Sequence, residues 1–505
     1  MLPLLAPTVW LITGILLACM VPLPPLWTAI GVAASCAAAV AARRTPTVQS
    51  LLTGMACALL GATLYSYQQQ TTPQLTNTPP SDHAVIIASD PVVRGKTLSM
   101  DALLATTGDK IQLRLMRDER SNRLSVGDGL VFHAAVKPLS AKGSYLTYLT
   151  SHGYVGEAFV WHGHWQAASI PTTGLSRMQR SRLFFLGLRH QLLQHLRTLR
   201  MDDDTYALAT AMALGNKSAV AREQRDTFSA TGTSHLLALS GLHLGIIYML
   251  LTLLFRRRRR RMVSQLLIVA SVWAFVLLVG MMPSVVRAAL MISIWAFVDF
   301  LGRGRSPLNT LSLTAIAMLT ANPSALFDVG FQLSFCSVLA ILLFAPPLTE
   351  LLNRLLHIRP SGITGRAAHA VSTTTAVSVA AQLGTAPLVA FHFGQLSPYF
   401  LLANYAAIPL TTLILYLTLA VLVSSWWGWL LSVVVAALTA VVNVLKWWLE
   451  WIASWPGASV GDLHPTALQT VAAYVLIGSL YGLLRYSLRT DRYTKQDIGG
   501  LQVRS

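Results

Sequence analysis

Between Thr231 and Gly245 the chain reads Thr-Gly-Thr-Ser-His-Leu-Leu-Ala-Leu-Ser-Gly-Leu-His-Leu-Gly, at the mouth of an apolar segment that runs on to Phe255. Ser240 and His243 are three apart, a spacing that allows contact on a helix. A membrane-embedded hydrolase is therefore one reading, although no third group to orient the histidine is evident. His235 and His243 lie about 80° apart around a helix and are not the i, i+4 pair that a helical zinc site prefers. Two readings remain for this stretch, helix packing with internal hydrogen bonds or a polar pathway. Gly241 and its small neighbours let helix backbones approach closely, and polar side chains in hydrocarbon face a partner or a watery cavity.

The same character recurs downstream. Arg287 sits in Pro283-Ser-Val-Val-Arg-Ala-Ala, with Asp299 and Asp328 as candidate partners. A guanidinium there must snorkel, pair or face water. Asp328-Val-Gly-Phe-Gln-Leu-Ser carries Asp328, Gln332 and Ser334; Gln382-Leu-Gly-Thr-Ala-Pro, His392-Phe-Gly-Gln and Asn404-Tyr-Ala-Ala-Ile-Pro follow. Each places polar groups, Gly or Pro inside otherwise apolar sequence, which is tolerated at membrane depth only where protein or water covers the backbone. Their recurrence argues for an internal pathway through His235, Ser240, Gly241, His243, Arg287, Asp328, Gln332, Ser334, Gln382 and Asn404. No catalytic residue, metal site or cofactor is expected: His133, His162 and His164 lack a completing carboxylate or cysteine, and no phosphate-cradling Gly-x-x-x-x-Gly-Lys-Ser/Thr occurs.

The elements that must hold these residues are membrane helices. With 54% hydrophobic and 11% charged residues the 505-residue chain is far from soluble averages, and many apolar runs reach the ~20 residues that cross a bilayer. Spans are expected at roughly 4–21, 26–42 and 48–67, in the segment ending at Phe255, and at roughly 263–282, 284–301, 308–322, 330–348, 367–390, 399–424, 428–453 and 466–484, about twelve in all. Segments around Pro323, Pro398 and Pro409 are candidates for breaks. The six arginines from Arg256 to Arg261, with Arg43-Arg44 and Arg485, Arg489, Arg492 and Lys495, place both termini in the cytoplasm by the positive-inside rule. Cys19, Cys36, Cys57 and Cys336 read as buried small hydrophobes. The net charge of +18 reflects loop charges and also suits a polyanionic substrate.

After the third span, residues 68–170 change character. Short β-type runs at His83–Ser89, Thr97–Thr106, Lys110–Arg117, Leu130–Lys137 and Glu157–Gln166 alternate with glycine turns, and a helix over Ser144 to Tyr154 is embedded among them. This predicts a small external OB-like β-barrel. A basic amphipathic interfacial helix follows within 171–204, with Arg182, Arg189 and Arg200 on one stripe and Phe185, Leu188, Leu192, Leu196 and Leu199 beside it. Such a stripe holds phospholipid head groups or guides a second phosphate polymer. Asp202-Asp203-Asp204 reads as a helix N-cap cluster.

Several of these stretches occur together, in order, in one family. Gly215 with Arg222 to Phe228, Thr231 to His243, Ser284-Val-Val-Arg-Ala, Asp328 to Phe335, Gln382 to Leu388 and Asn404 to Pro409 resemble the ComEC competence family of inner-membrane DNA-uptake channels, with Gly143-Ser-Tyr-Leu-Thr-Tyr-Leu like the end of that family's N-terminal domain. The resemblance implies that 205–486 is a channel domain passing single-stranded DNA into the cytoplasm during natural transformation. It also implies that the β domain and basic helix meet DNA in the periplasmic or extracellular space. Arg114, Arg117, Arg182, Arg189 and Arg200 are then entry candidates, with Arg120, Arg123, Tyr145, Tyr148 and Trp161 nearby; a solvated face is the alternative for the arginines. Implied partners are membrane lipids, a DNA-delivering receptor outside, a DNA-translocating helicase inside and a separate nuclease. The last follows because 487–505 reads as a short tail and no His-x-His-x-Asp-His motif occurs, as in a short form without the metallo-β-lactamase-like domain of many members. A transporter of another anionic polymer or lipid-linked substrate, or an assembly scaffold, are the competing readings.

Overall fold

In a computed structural model the backbone is described for residues 4–21, 23–71, 79–141, 144–199, 201–255, 261–302, 306–358 and 362–502. Arg200, Gly143, most of the six-arginine run and the side chains of the cationic tail lie outside the described residues. Two compact units emerge: Met1–Ala219 with Leu239–Asp328, and Val220–Ala238 with Val329–Ser505.

The first unit opens with α1 (Leu5–Met20), α2 (Pro25–Ala41) and α3 (Pro46–Thr71). Their sequences bury small residues: a Cβ on Gly14 would lie 1.7 Å from the carbonyl oxygen of Ala58, and one on Gly61 would lie 2.3 Å from that of Leu11. Only glycine permits so close a crossing of α1 and α3. Cys19 and Cys36 are exposed on the outer faces of α1 and α2, which corrects the expectation that the cysteines are buried; on an apolar helix the outward face suits them as well as a core does.

The β domain carries β1 (Ser81–Ile87), β2 (Val92–Arg94), β3 (Thr97–Leu104), β4 (Lys110–Met116), β5 (Gly129–Ala134), β6 (Val136–Lys137), β7 (Tyr154–Val160) and β8 (Trp165–Ala167), with α4 (Ser144–Ser151) before β7. The expected run Glu157–Gln166 is two strands, because a turn at 161–164 divides it. β2 was not foreseen; its three residues are all exposed and show no alternation. The sheet order is β6-β7-β4-β3-β1-β5-β8, with β2 on β3 and the β4–β7 pair parallel. Only Ala135 separates β5 from β6, so one nearly continuous strand pairs with β1 through its first part and with β7 through its second. Strand alternation sends Val85, Leu98, Leu113, Leu130, Phe132 and Val160 into one apolar core.

Next come α5 (Arg177–Thr198) and α6 (Asp203–Leu214). A capping box of Ser176 and Gln179 starts α5, and Gln179 Nε2 also donates to the Gly108 carbonyl at 2.8 Å, tying the helix to the β3–β4 turn. Asp202 caps α6 through the Thr205 N–H at 2.9 Å, as expected. The face of α5 buried against its neighbours is Leu183, Leu186, Arg189, Leu193 and Leu196. Arg189 is thus in the packed face and not on an open basic stripe, with Nη2 3.6 Å from Asp90 Oδ2. The unit is completed by α9 (Gly241–Leu254), α10 (Arg261–Leu278), α11 (Pro283–Phe300), α12 (Pro307–Ala321) and a 3-10 turn over Pro323–Phe327. Leu239, Leu244, Val272, Val276 and Val285 join α9, α10 and α11 in one cluster.

The second unit holds α7 (Arg222–Ala230), α8 (Ser234–Leu237), α13 (Val329–Leu355), α14 (Gly362–Phe393), α15 (Phe400–Ser424), α16 (Gly428–Ala453) and α17 (Ala467–Gln502). A glycine again sets a crossing: a Cβ on Gly384 of α14 would lie 2.5 Å from the Cys336 carbonyl oxygen of α13. Pro323 and Pro398 fall in turns as foreseen, but α15 runs unbroken through Pro409.

Seven described helices are long and apolar enough to cross a membrane: α3, α11, α13, α14, α15, α16 and the Ala467–Tyr486 part of α17. The other five expected spans are apolar helices that fall short on length. The clearest is α9, whose 14 residues reach about 21 Å against a hydrocarbon core of about 30 Å. The chain is therefore a multi-pass, mostly helical membrane protein with a separate β-sheet domain.

Candidate nucleic-acid interface and polar sites

The parallel β4–β7 register sets Arg114 beside Phe159 on the outer face of the β domain. Alternation along β7 exposes Phe159 while Ala158 and Val160 turn inward. Phe159 and Trp161 form an edge-to-face pair with centroids 5.2 Å apart, and Trp161 is 63% exposed. With His133, Lys137 and His164 they line a groove of about 450 Å³. Arg114 Nη2 donates to Gln112 Oε1 at 3.2 Å and stands 3.7 Å from Glu157 Oε2, and His133 Nδ1 is 2.8 Å from Asp82 Oδ1. Positive groups and flat apolar rings therefore share one open groove at the Met116 end of the domain. Arg117 is exposed close by, its Nε donating to Asn122 Oδ1 at 3.0 Å. Arg114, Trp161, His133 and His164 had been singled out in the sequence. Phe159 and Lys137 had not, because only the pairing of β7 with β4 and β6 brings them there.

The Lys110 end faces the opposite way along the strands. Here Lys110 Nζ is 3.0 Å from Asp101 Oδ2 and 3.7 Å from the Tyr154 ring centroid, while the Tyr154 hydroxyl donates to Asp101 Oδ1 at 2.8 Å. Burial holds the Lys110 ammonium below the usual lysine range although Asp101 opposes this, and burial with the Asp101 charge pushes the Tyr154 phenol up. On α4, Tyr145 stacks on Tyr148 at 6.1 Å, and Tyr148 lies 4.1 Å from the His152 ring. His152 Nε2 is 3.9 Å from Asp328 Oδ2. Asn322 Nδ2 donates to the Ser151 carbonyl at 2.8 Å, and Gln68 of α3 bonds Asn322 and Ser324, so the turn before Asp328 ties α4 to α3.

Arg287 of α11 is 2% exposed, with the Asp328 carboxylate acting on it electrostatically; its Nε and Nη1 lie buried without a hydrogen-bond acceptor. Asp299 instead accepts from Gln265 Nε2 at 2.7 Å. Buried donors left unpaired cost about 1–3 kcal/mol each, so the guanidinium has unused capacity for an anion.

Ser240 and His243 do meet, as a helix cap: the ring Nδ1 is 3.0 Å from Ser240 Oγ and accepts the Ser240 N–H at 3.3 Å. With Nδ1 accepting, the ring proton sits on Nε2. Ser284 Oγ donates to the Leu239 carbonyl at 2.6 Å, tying the chain just before α9 to the start of α11. The pair holds the start of α9 in place.

The remaining candidates belong to the second unit. His235 is exposed on α8. Gln332 Oε1 lies 3.3 Å from His392 Nε2. Ser334 and Gln382 are half-buried on α13 and α14. Asn404 is buried on α15, with Oδ1 lacking a hydrogen-bond donor. The ten residues expected along one pathway are thus divided between two units. Of the entry arginines, Arg182 donates to the Gly280 carbonyl at 3.4 Å and Arg189 pairs with Asp90.

Residues 212–486, more than half of the chain, match the family model described as competence protein. A 252-residue stretch is 27% identical to the ComE operon protein 3 of Bacillus subtilis (strain 168); it makes up 50% of this chain and 30% of that protein. No solved structure matches the chain.

Proposed function

The chain belongs to the competence protein family, and from that premise we propose that it is a channel subunit of the bacterial inner membrane that passes single-stranded DNA into the cytoplasm during natural transformation. The observation that carries this reading is the exposed Phe159–Trp161 pair beside Arg114 and Lys137. Unpaired bases stack on exposed rings with little regard for sequence, while cations track the phosphates. The strand order, with β4 parallel to β7 and the β5–β6 strand pairing at both ends, supports an OB-like barrel.

The strand would meet the Phe159–Trp161 groove first, then the Tyr145–Tyr148–His152 row, then Arg287, whose unused donors suit a phosphate. The arginines at 256–261 and the cationic tail support cytoplasmic termini and an external β domain. No catalytic step is assigned to this chain. A delivering receptor outside, a helicase inside and a separate nuclease complete the proposed machinery.

The test is the triple variant Arg114→Gln, Phe159→Ala, Trp161→Ala, in two assays. Stacking is worth roughly 1–3 kcal/mol per base, so the purified variant should bind a single-stranded oligonucleotide at least tenfold more weakly, with a shallower salt dependence. Complementation of a deletion strain should give reduced DNA uptake at unchanged membrane levels. Unchanged oligonucleotide affinity together with unchanged uptake would remove the groove from the DNA path.

A further inference from the structure

A cavity of about 230 Å³ opens between the Lys110 end of the β domain and α5, lined on its polar side by Asp109, Lys110, His152 and Arg182, and on its apolar side by Leu183 and Leu186. We propose that this cavity takes the phosphodiester of a phospholipid head group at the outer membrane surface, held by Arg182 and Lys110. From the proposed function this inference takes only the external placement of the β domain, not the passage of DNA.

Three observations converge on it. The first is charge. Lys110 has Asp101 as its counter-ion, but the hydrogen bond from Arg182 goes to a backbone carbonyl, at a long 3.4 Å, and its Nε is buried without an acceptor. A guanidinium with free donors matches a phosphate in geometry and charge. Asp109 on the same cavity can accept from a head-group ammonium or hydroxyl.

The second is depth. The carbonyl that Arg182 bonds belongs to Gly280, in the tight turn between α10 and α11, and a Cβ on Gly280 would touch Leu186 at 3.3 Å. Because α11 is a helix that can cross a bilayer, its first turn at Pro283 marks the membrane boundary. The cavity sits about one turn from that boundary. The third is the free face of α5, where Phe184 is 70% exposed and Leu188 lies one helical turn on, also exposed. An amphipathic helix with such a face lies at the depth where acyl chains meet head groups.

Size selects the ligand. At about 30 Å³ per water the cavity holds about eight waters, enough for one phosphodiester with its ester carbons. A polymer would need a through-passage with a row of cations.

The purified full chain, delipidated in a neutral detergent, should be offered dioleoyl phosphatidylglycerol, dioleoyl phosphatidylethanolamine and, lacking the phosphate, dioleoylglycerol, and followed by native mass spectrometry. The wild type should hold one phospholipid per chain and no dioleoylglycerol. Arg182→Gln should lower phospholipid occupancy at least tenfold, and Arg177→Gln, an exposed cation five residues earlier on the same helix, should leave it unchanged. Equal retention of dioleoylglycerol and phospholipid by the wild type overturns the proposal without recourse to any variant. So does wild-type occupancy in Arg182→Gln, or displacement of the lipid by one equivalent of a single-stranded oligonucleotide, which would assign the cavity to DNA.

Discussion

At the scale of single residues, the environment of a group decides its role more than its type does. His83 of β1 shows this in its pH dependence. Burial lowers its pKa from the ordinary 6.5, His133 adds to that effect and Asp82 opposes it, while Ser81 Oγ at 3.0 Å and the Phe132 ring hold the imidazole in place. In the unfolded chain His83 takes up its proton near 6.5, whereas in the fold it does so only at lower pH. Between these two values the unfolded state binds more protons, so stability falls as pH drops through the window and levels off once folded His83 is also protonated. Pulse proteolysis of the full chain in detergent should show the β domain losing protection below pH 6.5, and His83→Gln should flatten that loss. An identical pH profile in the variant would discard the assignment. Ser240 and His243 teach the complementary lesson. Their spacing reads as a nucleophile and base, but the ring nitrogen facing Ser240 also accepts a backbone N–H, so what the spacing encodes here is a helix start.

At the scale of elements, what was legible in the sequence was whatever depends on local periodicity. The positions of the helices, the main strands, the Asp202 cap and the change of character near residue 68 all follow from patterns a few residues long. The face that each element turns toward its neighbours does not. On α5 the arginine stripe was visible, yet Arg189 lies inside the packed face because Asp90, a hundred residues earlier in the chain, supplies its counter-ion. Burial of its guanidinium lowers the Arg189 pKa while Asp90 raises it. Removing one partner of a buried pair costs about 3–5 kcal/mol, and since Asp90 is partly exposed the lower end applies. Asp90→Ala should therefore lower the melting temperature of the detergent-solubilised chain, and Arg189→Met added to it should restore most of the loss; a double variant no more stable than Asp90→Ala would refute the pairing argument. The helix crossings were equally hidden. Gly14 looks ordinary in an apolar run, but its missing Cβ makes room for the Ala58 carbonyl. Gly14→Ala should destabilise by about 1–3 kcal/mol, the usual range for overpacking, while Gly187→Ala, which meets nothing within 4 Å, should be neutral or slightly stabilising. Thermal unfolding of the two variants side by side decides this.

At the scale of the whole molecule, the arrangement has to match a bilayer, and α16 supplies a ruler for it. Trp426, Trp427 and Trp429 cluster at its start, Trp447 and Trp451 stack in parallel near its end with centroids 6.3 Å apart, and Trp455 packs edge-on against Trp451. From Trp429 to Trp451 the helix rises about 33 Å, close to the ~30 Å of a hydrocarbon core. Tryptophan prefers the two interfaces, so a belt at each end is what a full crossing by α16 requires, and such a crossing is expected to leave the 425–428 turn on one side and the 454–466 connection on the other. On the proposed cytoplasmic C-terminus, drawn from the cations after Tyr486 by the positive-inside rule, the 454–466 connection is expected outside and the 425–428 turn inside. The proposed function separately expects the β domain outside. Single cysteines at Thr106, Ser425 and Ser459, introduced after the four native cysteines are replaced by serine or alanine, test both statements at once. A membrane-impermeant maleimide added to intact cells should label Thr106→Cys and Ser459→Cys, and should reach Ser425→Cys only after permeabilisation. Labelling of Ser425→Cys and Ser459→Cys from the same side would mean that α16 does not cross. Labelling of Ser425→Cys alone from outside would invert the molecule, and the β domain would then lie on the wrong side of the membrane to meet incoming DNA.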